Sequence, residues 1–154
     1  MRSPIRVYVD TSVFGGVFDE EFRDISARFF EAVRTGRFVL VSSGLVEDEL
    51  APSPARVQDF FEEISATGEV VDLSDEALAL RDSYVSSGVV SAQYVADALH
   101  VALATTTNCN MIVSWNFKHI VNYRRVQQYN AVNILNGYGS ILICSPPEVV
   151  ENED

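Results

Sequence analysis

Short apolar runs alternate with helical patterns along nearly the whole chain, and this alternation leaves few architectures open. Two parallel strands need a long crossover between them, so strand–helix alternation implies a mainly parallel sheet with helices on both faces. Strand-like runs fall at 6–9 (RVYV), 37–42 (RFVLVS), 69–72 (EVVD) and 110–114 (NMIVS). Helical spacing predicts a helix over 20–34, where Phe22, Ile25, Phe29 and Val33 recur at intervals of three and four. Gly36 stops it. Further helices are expected over 45–50, over 55–65 after Pro52 and Pro54, over 74–85 behind a Ser74 cap, and over 91–106 behind Ser91. In the tail, NGYG at 136–139 reads as a turn between two short extended pieces. The 154 residues suit one domain. In parallel sheets of this kind, ligands sit beyond the carboxyl ends of the strands.

The bulk numbers exclude some functions. With 22 acidic against 11 basic residues, the formal charge is −11. Such a chain cannot hold nucleic acid through a general basic surface and needs a local patch, a metal or a basic partner. Apolar runs stay far short of the ~20 residues of a membrane span, and the N-terminus lacks a signal-peptide pattern. Cys109 and Cys144 make neither a metal spacing nor a disulfide framework, which points to the reducing cytoplasm.

Against this background a few polar residues stand out. Asp10 follows the first strand directly, in VYVDTS. A polar group beside a core strand costs roughly 2–7 kcal/mol without a partner, so Asp10 must cap the next turn, pair with a distant cation or hold a metal. In GLVEDEL, helical spacing turns Glu49 toward the core side, while Glu47 and Asp48 face solvent. The helix AQYVADALHVALATT is apolar nearly all round, and Asp97 is its only acid. His100, three residues on, reads as a satisfied core histidine. Asn116 emerges beyond the fourth strand in VSWNFKHI, where shaping a turn is its commonest job. Trp115 and Phe117 read as core or rim aromatics. Three carboxylates in contact would repel by roughly 4 kcal/mol per pair at an effective dielectric of 20. They share protons or bind a hard cation, and an all-oxygen set suits Mg²⁺ or Mn²⁺. A phospho-acceptor role for Asp10 lacks the second acid such phosphatases carry two residues on, where Ser12 stands.

The order VYVDTS, DEL, ADALHVALA, VSWNFKH resembles the PIN-domain nucleases, in particular the VapC-type toxin ribonucleases of bacterial toxin–antitoxin pairs. The resemblance covers nearly the whole chain, including HIVNYRRVQQYN. It implies a Rossmann-like three-layer α/β/α sandwich and a Mg²⁺- or Mn²⁺-dependent phosphodiesterase acting on RNA. It further implies a small antitoxin protein as partner and a homodimer. Carried over residue by residue, the acidic quartet falls on Asp10, Glu49, Asp97 and Asn116, with Asp10, Asp97 and Glu49 as metal ligands. Thr11, Ser12 and Ser114 match the hydroxyls lining the site. Lys118, His119, Arg124 and Arg125 would form a phosphate-gripping rim. The fourth position departs from the family's aspartate, which removes one negative charge. The alternative expectation is a PIN-like RNA-binding or regulatory module whose catalysis Asn116 has dulled.

Overall fold

The computed structural model describes residues 4–150. Five strands build one all-parallel sheet: β1 (Ile5–Val9), β2 (Phe38–Ser43), β3 (Glu69–Val71), β4 (Met111–Val113) and β5 (Leu142–Cys144). The helices are α1 (Thr11–Gly16), α2 (Arg23–Arg34), α3 (Gly44–Leu50), α4 (Ala55–Ser65), α5 (Asp75–Ser86), α6 (Val95–Thr106), α7 (Tyr123–Leu135) and α8 (Pro146–Val150). They flank the sheet in a three-layer α/β/α sandwich. On one side α2 packs on α1 and α8, and on the other α5 packs on α6 and α7. No described helix is long and apolar enough to cross a membrane.

Spatial order is β3-β2-β1-β4-β5, so the chain steps outward from β1 in one direction and then restarts on its other flank. The reversal lies between β1 and β4, and it opens a crevice at their carboxyl ends. Val7, Tyr8 and Val9 are fully buried in the central strand β1, which is why they read as a continuous apolar run. Phe14 from α1 meets Phe30 and Phe61 at ring-centroid distances of 5.3 and 5.1 Å, filling the layer beneath the crevice.

Two expectations need correction, and one helix has no counterpart among them. The tail piece Asn133, Ile134 and Leu135 is helical and closes α7, with Gly137 at φ +87 in the turn that ends it. The helix expected to open at Ser91 instead begins with a 3₁₀ turn (Ala92–Tyr94), and α6 proper starts at Val95. The short helix α1 gave no periodic signal, because its six residues are below two turns.

Candidate active site

Register brings the first carboxylate to the crevice. Val9 pairs with Val113 across β1 and β4, so Asp10 and Ser114 follow as neighbours beyond the strand ends. Asp10 is 4% exposed. It occupies the position before α1, yet its side chain makes no capping hydrogen bond. Its carboxylate instead accepts from Ser12 Oγ at 2.6 Å and from Ser114 Oγ at 2.8 Å. No Lys or Arg among the described residues pairs with it. Burial pushes the Asp10 pKa up; the His100 charge and the two hydroxyls pull it down, and Glu49 pushes it up again.

Glu49 arrives on α3, which Ser43 caps by accepting from the Val46 N–H at 3.3 Å. Glu47 and Asp48 are exposed, whereas Glu49 is half-buried against the crevice. Its Oε1 accepts from Thr11 Oγ1 and from His100 Nε2, the latter at 2.7 Å. Both contacts fall on Oε1. Burial alone would raise the Glu49 pKa, but the bond to His100, its charge and Thr11 together bring it below the usual range.

The histidine reaches further than a core role requires. His100 Nδ1 lies 2.8 Å from Tyr8 Oη, which lies 2.7 Å from Ser43 Oγ. Ser43, Tyr8, His100 and Glu49 thus form one hydrogen-bonded chain, with Nδ1 of the imidazole against the Tyr8 hydroxyl and Nε2 against Glu49. This buried chain fixes Glu49 from behind, and burial drives the Tyr8 pKa far up. His100→Ala strands Tyr8 and Glu49 and opens a cavity, so a loss of about 2–3 kcal/mol is expected in chemical denaturation. Stability equal to wild type would show that the chain contributes nothing.

Asp97 is placed differently from expectation. It lies in the first turn of α6, half-exposed, not deep in a buried helix. It is one turn nearer the rim than His100 and on the same helix face. The charges acting on Asp10 come from His100 and Glu49, while Asp97 acts on His119 and Tyr129. Among the described residues, no three of the His, Cys, Asp and Glu side chains converge closely enough to hold a metal. The expected contact of three carboxylates therefore does not form. Asp10 and Glu49 come together, and Asp97 stands off at the rim.

Asn116 shapes its loop. Its Oδ1 accepts from Lys118 N at 3.2 Å and His119 N at 2.9 Å, and its own N–H donates to Ser114 Oγ at 2.9 Å. The hydroxyls also hold the protein together. Ser12 accepts from Trp115 N at 2.9 Å, and the Trp115 ring donates to Ser26 Oγ at 2.8 Å. Gly16 permits that approach, since a Cβ there would lie 2.9 Å from Trp115 Nε1 and 2.6 Å from Ser26 Oγ. The basic residues divide in two. Lys118 and Arg124 are exposed, whereas Arg125 is half-buried and His119 is buried against Tyr94, with ring centroids 3.7 Å apart. Burial lowers the His119 pKa against the opposing pull of Asp97.

The donor set suits a hard divalent cation. Mg²⁺ is commonly held by one or two carboxylates with water completing its shell. Asp10, buried and without a Lys or Arg partner among the described residues, and Glu49, whose hydrogen bonds fall on Oε1, supply that pair of carboxylates. Asp97 lies on the same helix face as His100, one turn toward the start of α6. The residues fit.

The PIN domain family model matches residues 7–120, a span that includes Asp10, Glu49, Asp97 and Asn116. No curated protein matches the chain in sequence. Eighteen solved chains match it in structure. One comes from the crystal structure of VapBC2 from Rickettsia felis bound to a DNA fragment from their promoter. That chain is 14% identical, with a TM-score of 0.58, covering 92% of this chain and 98% of its own. Likeness at that identity shows the shared fold.

Proposed function

The chain belongs to the PIN-domain family, and from that premise we propose that it is a Mg²⁺- or Mn²⁺-dependent endoribonuclease. One observation carries the reading: a buried carboxylate, Asp10, at the sheet's switch point, with no Lys or Arg partner among the described residues and with Glu49 acting on it. A bound divalent cation would acidify a water molecule and neutralise charge on the phosphoryl oxygens. Asp10 and Glu49 would hold it, and Asp97 would contact it through water. Ser12 and Ser114 fix the two oxygens of Asp10, while Thr11 and His100 fix Glu49. Lys118 and Arg124 grip the flanking phosphates of the RNA. The likeness to a VapBC2 chain supports a toxin role in a type II toxin–antitoxin pair. In that role the protein acts in the cytoplasm as a homodimer held by a small antitoxin. The test is cleavage of an end-labelled generic single-stranded RNA in Mn²⁺ and in EDTA. Equal cleavage in both, or none in either, overturns the reading.

A second reading has its own support. The Asn116 carbonyl oxygen already accepts two backbone N–H groups, which leaves it poorly disposed toward a cation and favours a PIN-like module with weak or no catalysis. Asn116→Asp separates the two. An aspartate can keep both N–H contacts on one oxygen and turn the other toward the cation. Mn²⁺ affinity and cleavage are therefore both expected to rise, since hard cations gain affinity with ligand charge. Unchanged affinity and rate would remove residue 116 from the site. Tighter binding without cleavage would favour the non-catalytic module.

A further inference from the structure

Beyond Asn116 the loop enters a cleft of about 520 Å³ between the β4–α7 loop, α7, β5 and α8. Its floor is aliphatic, from Val121, Val126 and Ile143, and two aromatic side chains stand at its walls. Phe117 is 51% exposed and Tyr123 84% exposed, so neither ring belongs to the core. Each is followed by an exposed cation, Lys118 and Arg124. On a chain of net charge −11, two outward cations beside two outward aromatics form a local match to nucleic acid. Gln127 adds an amide to the wall, and Glu148 is tied back, its Oε1 accepting from Ser145 N and Oγ at 3.0 and 2.9 Å.

One loop ties the cleft to the acidic crevice. Ser114 Oγ donates to Asp10 Oδ2 and accepts the Asn116 N–H, and Phe117 is the next residue. Strands β1, β4 and β5 are neighbours, so their carboxyl ends span roughly 10 Å at about 4.8 Å per strand step. A nucleotide adjoining a phosphate at Asp10 can reach across that distance.

We propose that the cleft walled by Phe117 and Tyr123 is a nucleobase subsite, which stacks a base of single-stranded RNA flanking the phosphate that a cation at Asp10 and Glu49 would hold. The inference rests on the nuclease reading above and adds how the substrate is gripped. Aromatic stacking tolerates any base, so the subsite selects for unpaired bases instead of a particular sequence.

The test is equilibrium binding in EDTA, where no turnover occurs, of a fluorescein-labelled single-stranded RNA octamer and of the same octamer carrying abasic positions. Phe117→Ala and Tyr123→Ala are each expected to weaken binding of the intact strand by roughly tenfold. Tyr123→Phe, which keeps the ring, is expected to bind as wild type does. The abasic strand is expected to bind wild type as weakly as the intact strand binds the alanine variants. Unchanged affinity in both alanine variants overturns the subsite. So does an equal loss for intact and abasic strands, which would mean that the rings act without bases. Unchanged RNA affinity with an altered oligomeric state would assign the cleft to protein contact instead. Mn²⁺-dependent cleavage by wild type, measured in parallel, keeps the two readings apart. Cleavage without the expected binding losses sinks the subsite alone, and a wild type that neither binds nor cleaves sinks both.

Discussion

Asp10→Asn is expected to stabilise the metal-free protein at neutral pH while ending its activity as a nuclease. Asp10 is buried, and burial raises its pKa in the folded chain above the ordinary 3.8. The sign follows from proton linkage. Between 3.8 and the raised value the folded state holds more protons than the unfolded one, so stability falls as pH climbs through that window. Above it the full penalty of a buried charge remains. Asparagine removes that penalty and keeps the geometry, because one of the Ser12 and Ser114 hydroxyls can go on donating to the amide oxygen while the other turns to accept from the amide NH2. Glu49 works in the opposite direction. Its folded pKa lies below 4.5, so its contribution is complete above pH 4.5 and is lost as pH falls through the folded value. Melting curves at pH 4 and pH 7 in EDTA test both signs. Asp10→Asn should melt above wild type at pH 7, with the gap narrowing at pH 4. A variant less stable than wild type at pH 7 would show that the Asp10 charge is already compensated within the protein.

The second large effect is cation binding itself. A divalent ion at Asp10 and Glu49 relieves both the burial of one charge and its repulsion by the other. At about 100 times Kd, ligand linkage adds roughly 2.7 kcal/mol. For a domain of this size that corresponds to a rise in Tm of about 5–10 °C. Wild type in millimolar Mn²⁺ should therefore melt well above wild type in EDTA, while Asp10→Asn should not respond. Equal responses from the two proteins would place the stabilising ion somewhere else.

The fold, and the places of Asp10 and Glu49 in it, are legible for identifiable reasons. A central strand buried on both faces must be apolar throughout, so an acid directly after Val9 is conspicuous. Glu49 was separable from Glu47 and Asp48 because helical spacing assigns each to a face. The misreadings have equally specific causes. Helix α7 buries Asn133, whose Oδ1 accepts from Tyr84 Oη and whose Nδ2 donates to Thr105 Oγ1 at 3.3 Å. A polar residue on the buried face interrupts the apolar period, which hides the helix and lets its end read as an extended piece. A 3₁₀ turn after Ser91 delays the start of α6 and brings Asp97 into its first turn, and nothing in the spacing of AQYVAD reveals that delay. The link between His100 and Glu49 joins two helices 51 positions apart, and local pattern does not encode such a pairing. Phe117 could not be told from a core aromatic, because its exposure depends on where the loop after β4 runs.

The account turns on whether Asp10 and Glu49 are a cation site. Isothermal titration of Mn²⁺ into wild type and Asp10→Asn measures this without reference to any RNA. The expected result is one saturable binding event in wild type that disappears in the variant. Identical isotherms for the two proteins, or no binding to wild type up to millimolar Mn²⁺, would contradict it.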